Sequence, residues 1–140
     1  DREPTWSPDS EKIAFSSNRG QGWDIYTLTI ATGDITQITT HRAPDTQPNW
    51  SPDGRQLVFV SVRDGASSLY LYTFDTDEIT PLWVTQHHDS KPTWTPDGQS
   101  ITFSRAIDGK SMIMRYDVQQ QSVTQLDLKD DNADFLVWLR

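Results

Sequence analysis

The sequence predicts an all-β fold, a β-propeller built from repeated four-stranded antiparallel units, and three observations carry that reading. Tryptophans recur at a fixed interval of 44 residues, at Trp6, Trp50, Trp94 and Trp138. The first three open near-identical turn phrases: WSPDS from Trp6, WSPDG from Trp50 and WTPDG from Trp94. Between them lie short runs of alternating apolar and polar residues, with no sustained helical period, so essentially no helix is expected. A constant period of roughly 40–45 residues with aromatic and turn residues in fixed slots marks a repeat fold. Four short antiparallel strands per unit describe a propeller blade.

The elements follow in order. A short first strand ends at the tryptophan. Ser7-Pro8-Asp9-Ser10 then reads as a type I turn, with proline at its favoured second position and Gly54 or Gly98 closing the later copies. The second strand places Ile13 with Phe15, Leu57 with Phe59, and Ile101 with Phe103 on one face. A polar, glycine-bearing loop comes next (Asn18 to Gly22, Arg63 to Gly65, Asp108 to Lys110). The third strand spans Ile25 to Ile30, Leu69 to Phe74 and Ile113 to Val118. After a tight turn (Thr32 to Asp34, Asp75 to Glu78), the fourth strand carries Ile35 and Ile38, Ile79 and Leu82, or Val123 and Leu126. Counted from the tryptophans, the units are 6–49, 50–93 and 94–134, and residues 135–140 form an orphan inner strand.

Fixed slots extend beyond the tryptophans. An aspartate stands five residues before each of the first three (Asp1, Asp45, Asp89) and a proline two before (Pro4, Pro48, Pro92). The pattern D-x-x-P-x-W-S-P-D-G, then I-x-F-x-S, then I-Y, resembles the WD-repeat-like units of TolB-type β-propellers over the whole chain. That family includes the periplasmic protein TolB, the tricorn protease and the propeller domains of prolyl-oligopeptidase-like enzymes. Ser10 at the turn glycine, Met114 at the tyrosine and a final copy without proline, aspartate or turn phrase depart from the pattern. Propellers hold about 4–8 blades. Three four-stranded blades plus one extra inner strand are therefore expected to belong to a larger propeller, six-bladed or more. The alternative is head-to-tail closure of two chains, and open blade edges invite such self-association.

Composition narrows the function classes. The 140 residues carry a net charge of −8, which argues against a nucleic-acid partner because phosphates call for a basic face. There is no cysteine for disulfides or thiolate metal sites, and no run approaches the ~20 apolar residues of a membrane helix, so no membrane insertion is expected. A Gly-x-Ser-x-Gly elbow is missing, so the stretch is no serine hydrolase of the α/β type. Gly109-Lys110-Ser111 lies in a hairpin and lacks the first glycine of a phosphate loop. His87-His88-Asp89 has metal-ligand residue types but not their spacing, and Asp75 to Glu78 lacks the glycine and glutamate of a calcium loop. No metal or cofactor is expected.

In a propeller, the second-to-third loops and the blade connections share one face. That face gathers Arg19, Trp23, His41, Arg42, Arg63, His87, His88, Lys91, Arg105 and Lys110, opposed by Asp130, Asp131 and Asp134. Trp23 stands where the other repeats carry Ser67 and Ser111, so it is either an interface anchor or a cover for a neighbouring blade. The motif tryptophans are expected to be structural, and the Asp-x-x-Pro aspartates to bond neighbouring backbone amides. The partner-binding set is Arg19, Trp23, Arg42, Arg63, His87, His88 and Arg105. The expected function is a non-catalytic protein-interaction module that binds a protein or peptide through this face. The resemblance implies an envelope partner and a periplasmic or otherwise extracytoplasmic location. The alternatives are the substrate-gating propeller of a prolyl-oligopeptidase-like serine peptidase and the sensory propeller of a membrane-anchored regulator.

Overall fold

The computed structural model describes residues 1–126. The expected inner strand 135–140, Trp138 and the aspartates 130, 131 and 134 lie outside the described residues. Twelve strands form three four-stranded antiparallel sheets, with no helix among the described residues. The first contains β1 (Arg2–Trp6), β2 (Lys12–Ser17), β3 (Asp24–Thr29) and β4 (Ile35–Gln37). The second contains β5 (Asp45–Trp50), β6 (Gln56–Ser61), β7 (Ser68–Thr73) and β8 (Glu78–Trp83). The third contains β9 (His88–Trp94), β10 (Ser100–Ile107), β11 (Lys110–Asp117) and β12 (Ser122–Gln125). Each sheet is a simple meander that starts at its inner strand and ends at its outer one. The inner strand runs up to its landmark tryptophan, so sheet and tryptophan-to-tryptophan unit are offset by a few residues.

The turn after each inner strand is built the same way three times. In the second sheet Ser51 Oγ donates to Asp53 Oδ1 at 2.6 Å, while the amides of Arg55 and Gln56 donate to Asp53 Oδ1 and Ser51 Oγ. Ser7 with Asp9 and Thr95 with Asp97 repeat the motif. The fifth residue of the phrase is left-handed in every copy: Ser10 at φ 62°, Gly54 at 72° and Gly98 at 67°. Glycine suits that slot because it has no Cβ to clash.

The core lies between sheets. Along β6, Leu57 and Phe59 point toward the first sheet, and Val58 and Val60 toward the third. Both faces are covered, which explains why β6 reads as a nearly continuous apolar run. Trp50, Leu57, Phe59, Tyr70 and Tyr72 pack on Ala14 and Ile25 of the first sheet. In the same way Trp94, Ile101, Phe103, Met114 and Tyr116 pack on Val58, Val60 and Leu69 of the second. Each sheet thus presents a leading face, built around its tryptophan, to the trailing face of the sheet before it. The leading face of the first sheet meets no described sheet: Trp6 is 57% exposed, against 7% for Trp50 and Trp94. Ile30 and Ile35, on that same face, are also exposed.

Inner strands are laced to one another. Glu3, Gln47 and Lys91, each immediately before the inner-strand proline and within the strand bulge, are left-handed at φ 54°, 57° and 54°. Gln47 N donates to Glu3 Oε2 at 2.8 Å, and Lys91 N donates to Gln47 Oε1 at 2.6 Å. Trp50 Nε1 donates to the Thr5 carbonyl at 3.2 Å. Contacts between sheets concentrate on β1, β5 and β9 and the strands beside them, so the sheets fan outward from their inner edges.

Candidate functional site

Strand direction sorts the loops. The β2–β3 and β6–β7 loops, the β10–β11 turn and the connections β4–β5 and β8–β9 all emerge at the end opposite the Ser-Pro-Asp turns. The first two loops span six residues between strands. The third is a two-residue turn, Asp108-Gly109, with φ 49° and 74°, because β10 and β11 stay paired out to Ile107 and Lys110. That geometry is the tight hairpin turn that Asp-Gly favours.

A guanidinium–carboxylate pair recurs at this end of every sheet. Arg19 Nη2 reaches both oxygens of Asp1 at 2.9 and 3.0 Å, and Arg63 Nη2 reaches both of Asp45 at 3.1 and 2.8 Å. Arg105 meets Asp89 side-on, Nε to Oδ1 and Nη2 to Oδ2, each at 2.7 Å. The first two arginines also donate through Nε to Ser17 Oγ and Ser61 Oγ, both at 2.9 Å. Each guanidinium lies over strand aromatics: Arg19 over Phe15 and Tyr26, Arg63 over Phe59 and Tyr70, Arg105 over Phe103. Arg105 sits two positions earlier in its repeat than the others, inside the lengthened β10, and still finds the aspartate. The Asp-x-x-Pro aspartates, expected to hold backbone amides, therefore hold arginines instead. Charge-assisted pairs are stronger than Asx-turn bonds, and in the third sheet the strand register sets Arg105 directly opposite Asp89. Side chains of Asp45 and Asp89 are fully buried and those of Arg63 and Arg105 mostly so, whereas Arg19 and Asp1 remain partly open to water.

One cleft opens among these loops, in the first sheet. It has a volume of about 400 Å³ and lies between Gly20–Gly22 of the β2–β3 loop and Thr40–Arg42 of the β4–β5 connection. Asp24, only 4% exposed, forms its floor. Gln37 Nε2 donates to Asp24 Oδ2 at 3.1 Å and Thr39 Oγ1 to Oδ1 at 3.4 Å. Burial, and next the negative charge of Asp45, raise the Asp24 pKa above the ordinary aspartate value, against those two hydrogen bonds and His41. At the rim, Ala43 N donates to His41 Nδ1 at 3.0 Å, which leaves the proton of the neutral ring on Nε2. Arg42 is exposed and forms no ion pair with any described residue.

Of the residues expected to bind a partner, Arg42 lines this cleft. Trp23 stands beside it, half-buried, with the Arg2 guanidinium 4.7 Å from its ring centroid and its carbonyl accepting from Asp45 N. His87 and His88 are exposed in a separate stretch, where His88 Nδ1 lies 3.3 Å from Ser67 Oγ. Arg19, Arg63 and Arg105 are each engaged within their own sheet. Asp24, Gln37 and Gly20 were not singled out by sequence. The signal for Asp24 and Gly20 was a break in the repeat, since Asp24 replaces Ser68 and Met112, and Gly20 replaces Asp64 and Asp108.

Comparison with known proteins agrees with this architecture. The TolB beta propeller domain model matches residues 2–134. The Tol-Pal system protein TolB of Francisella tularensis is 46% identical over 39 residues, which are 28% of this chain and 9% of that protein. The crystal structure of TolB from Acinetobacter baumannii superposes with a TM-score of 0.84 at 30% identity, covering 91% of this chain and 32% of that one. A candidate TolB of Agrobacterium tumefaciens follows at 0.79 and 25%, covering 87% and 47%. The chain thus spans less than half the length of each of these relatives. With its sheets stacked as blades and its repeat matched almost end to end, the chain belongs to the TolB β-propeller domain family.

Proposed function

We propose that this propeller stretch is a non-catalytic interaction module that binds a protein or peptide through its loop face. The observation that carries the reading is the division of labour at that face. Repeated arginine–aspartate pairs anchor the loops, and the side chains that break the repeat, Trp23, Asp24, His41 and Arg42, cluster over the first sheet. A rigid base with variable loops suits recognition. Kinship with TolB supports an envelope protein as partner and an extracytoplasmic location. No helix among the described residues is long and apolar enough to cross a membrane.

Immobilised full-length protein exposed to an envelope extract tests this. A specific partner should be retained by the wild type and lost with Trp23→Ser, while Arg55→Ala on the opposite end leaves capture unchanged. Equal capture by all three proteins, or none by any, would overturn the proposal.

A further inference from the structure

The β2–β3 loop that borders the first-sheet cleft corresponds to the β6–β7 loop of the second sheet, and the two differ in an informative way. Tyr26 and Tyr70 occupy the same slot. The Tyr70 hydroxyl donates to Asp64, an exposed residue of the β6–β7 loop. In the first sheet that position is Gly20, and a Cβ there would lie 3.0 Å from the Tyr26 hydroxyl and 3.8 Å from Asp24 Oδ2. The carboxylate that ties the tyrosine hydroxyl to its loop in the second sheet is thus absent from the first. An acid enters there from a different slot, Asp24, at the floor of the cleft.

We propose that this cleft takes the cationic head of a basic side chain, a guanidinium or ammonium group carried by a protein or peptide partner, with the Asp24 carboxylate as counter-ion. The proposal deepens the interaction reading above and rests on it. Acceptors face the floor: Asp24 is acceptor-only when ionised, and the Gln37 amide, having turned its NH₂ to Asp24, offers its carbonyl oxygen. A buried carboxylate held by two neutral donors lacks a compensating positive charge, and an inserted cation supplies one. The volume of about 400 Å³ accommodates a long basic side chain. A net charge of −8 favours the approach of basic ligands. Arg42 at the rim opposes a run of positive charges, so the fitting ligand is a single basic residue between neutral or acidic neighbours.

The test titrates the full-length protein with N-acetyl-arginine amide and follows backbone amide resonances by NMR. Saturable shifts are expected at Gly20, Gly22 and Asp24, with none from N-acetyl-glutamate amide. Asp24→Asn should weaken binding by about tenfold or more. Asp24→Ser should do the same, and it copies the residue the second sheet already carries in this slot (Ser68), so the fold accommodates it. Non-saturating shifts, or an equal response from wild type and Asp24→Ser, would overturn the proposal. A partner whose capture needs Trp23 but is indifferent to Asp24→Ser sinks the cleft alone. Saturable arginine binding without any partner on this face sinks the interaction reading and leaves the cleft standing.

Discussion

Arg105 and Asp89 meet through two parallel bonds of 2.7 Å across the β9–β10 pair, in a setting where the carboxylate side chain is fully buried and the guanidinium nearly so. Arg19 and Asp1 pair in the first sheet through one nitrogen, Nη2, shared between both carboxylate oxygens, with both side chains partly exposed. The two pairs share a role in the repeat and differ in solvent.

That difference predicts unequal mutational costs. Arg105→Ala leaves Asp89 buried and uncompensated and should cost about 3–5 kcal/mol. Arg19→Ala should cost at most about 1 kcal/mol, because water replaces the lost partner. Urea denaturation of both variants at pH 7 measures the gap. Similar losses for the two would contradict the burial argument.

The buried tryptophans should be costly to truncate. Trp50→Ala and Trp94→Ala each remove a ring that is 7% exposed and should cost about 3–5 kcal/mol. A finer contrast uses phenylalanine. Trp50→Phe loses the bond from Nε1 to the Thr5 carbonyl, while Trp94 Nε1 is buried with no partner among the described residues. Trp94→Phe should therefore be the milder change by about 1 kcal/mol in the same denaturation assay.

Ser10 holds a left-handed backbone that its counterparts Gly54 and Gly98 adopt without strain. Ser10→Gly should leave stability unchanged or raise it, by up to about 1 kcal/mol, the glycine's extra unfolded-state freedom offsetting part of the relief. A thermal melt showing a clear decrease would mean that the serine hydroxyl contributes more than the backbone costs.

Acid sensitivity should have two sources of opposite sign. Hydrogen bonds from Ser7, Ser51 and Thr95, then from the amides two residues on, lower the pKa of Asp9, Asp53 and Asp97. A depressed folded pKa adds stability above the ordinary aspartate value, and that stability disappears as pH falls below about 4. Asp24 runs the other way. Its raised pKa adds stability at low pH, which is lost as pH climbs through the folded value. Unfolding curves from pH 3 to 7 should show Asp24→Asn gaining on wild type as pH rises, and a triple Asp9→Asn, Asp53→Asn, Asp97→Asn variant losing the acid limb.

Much of this was legible from periodicity. The slots of Phe59, Tyr70 and Ile101 repeat, and repeated apolar slots become the packed faces between sheets. The ion pairs were harder to read. Asp and Arg recur in fixed columns in the first two repeats, but their meeting depends on strands that come together only after folding, and Arg105 is displaced by the short Asp108-Gly109 turn. Charged residues at a loop end look alike in sequence whether they face water or one another, so Arg19, Arg63 and Arg105 read as free cations. Asp24 marked only a break in the repeat, and its burial was hidden for a related reason: its partners Gln37 and Thr39 reach it only after folding. Trp6 shares its motif with Trp50 and Trp94, yet its exposure is set by which sheet lies in front of it, something no local pattern encodes.

The sheet-to-sheet contact joins two unlike surfaces, a tryptophan-bearing one and a smoother one made by residues such as Ala14 and Ile25. Such a contact has a direction, like the rungs of a spiral stair. The exposed side of the first sheet, with Trp6, Ile30 and Ile35, is therefore unsuited to a mirror image of itself. Symmetric back-to-back dimers would set indole against indole and leave the Trp6 ring nitrogen without the carbonyl that Trp50 enjoys, so any blade added there must arrive in the same orientation as those already in place.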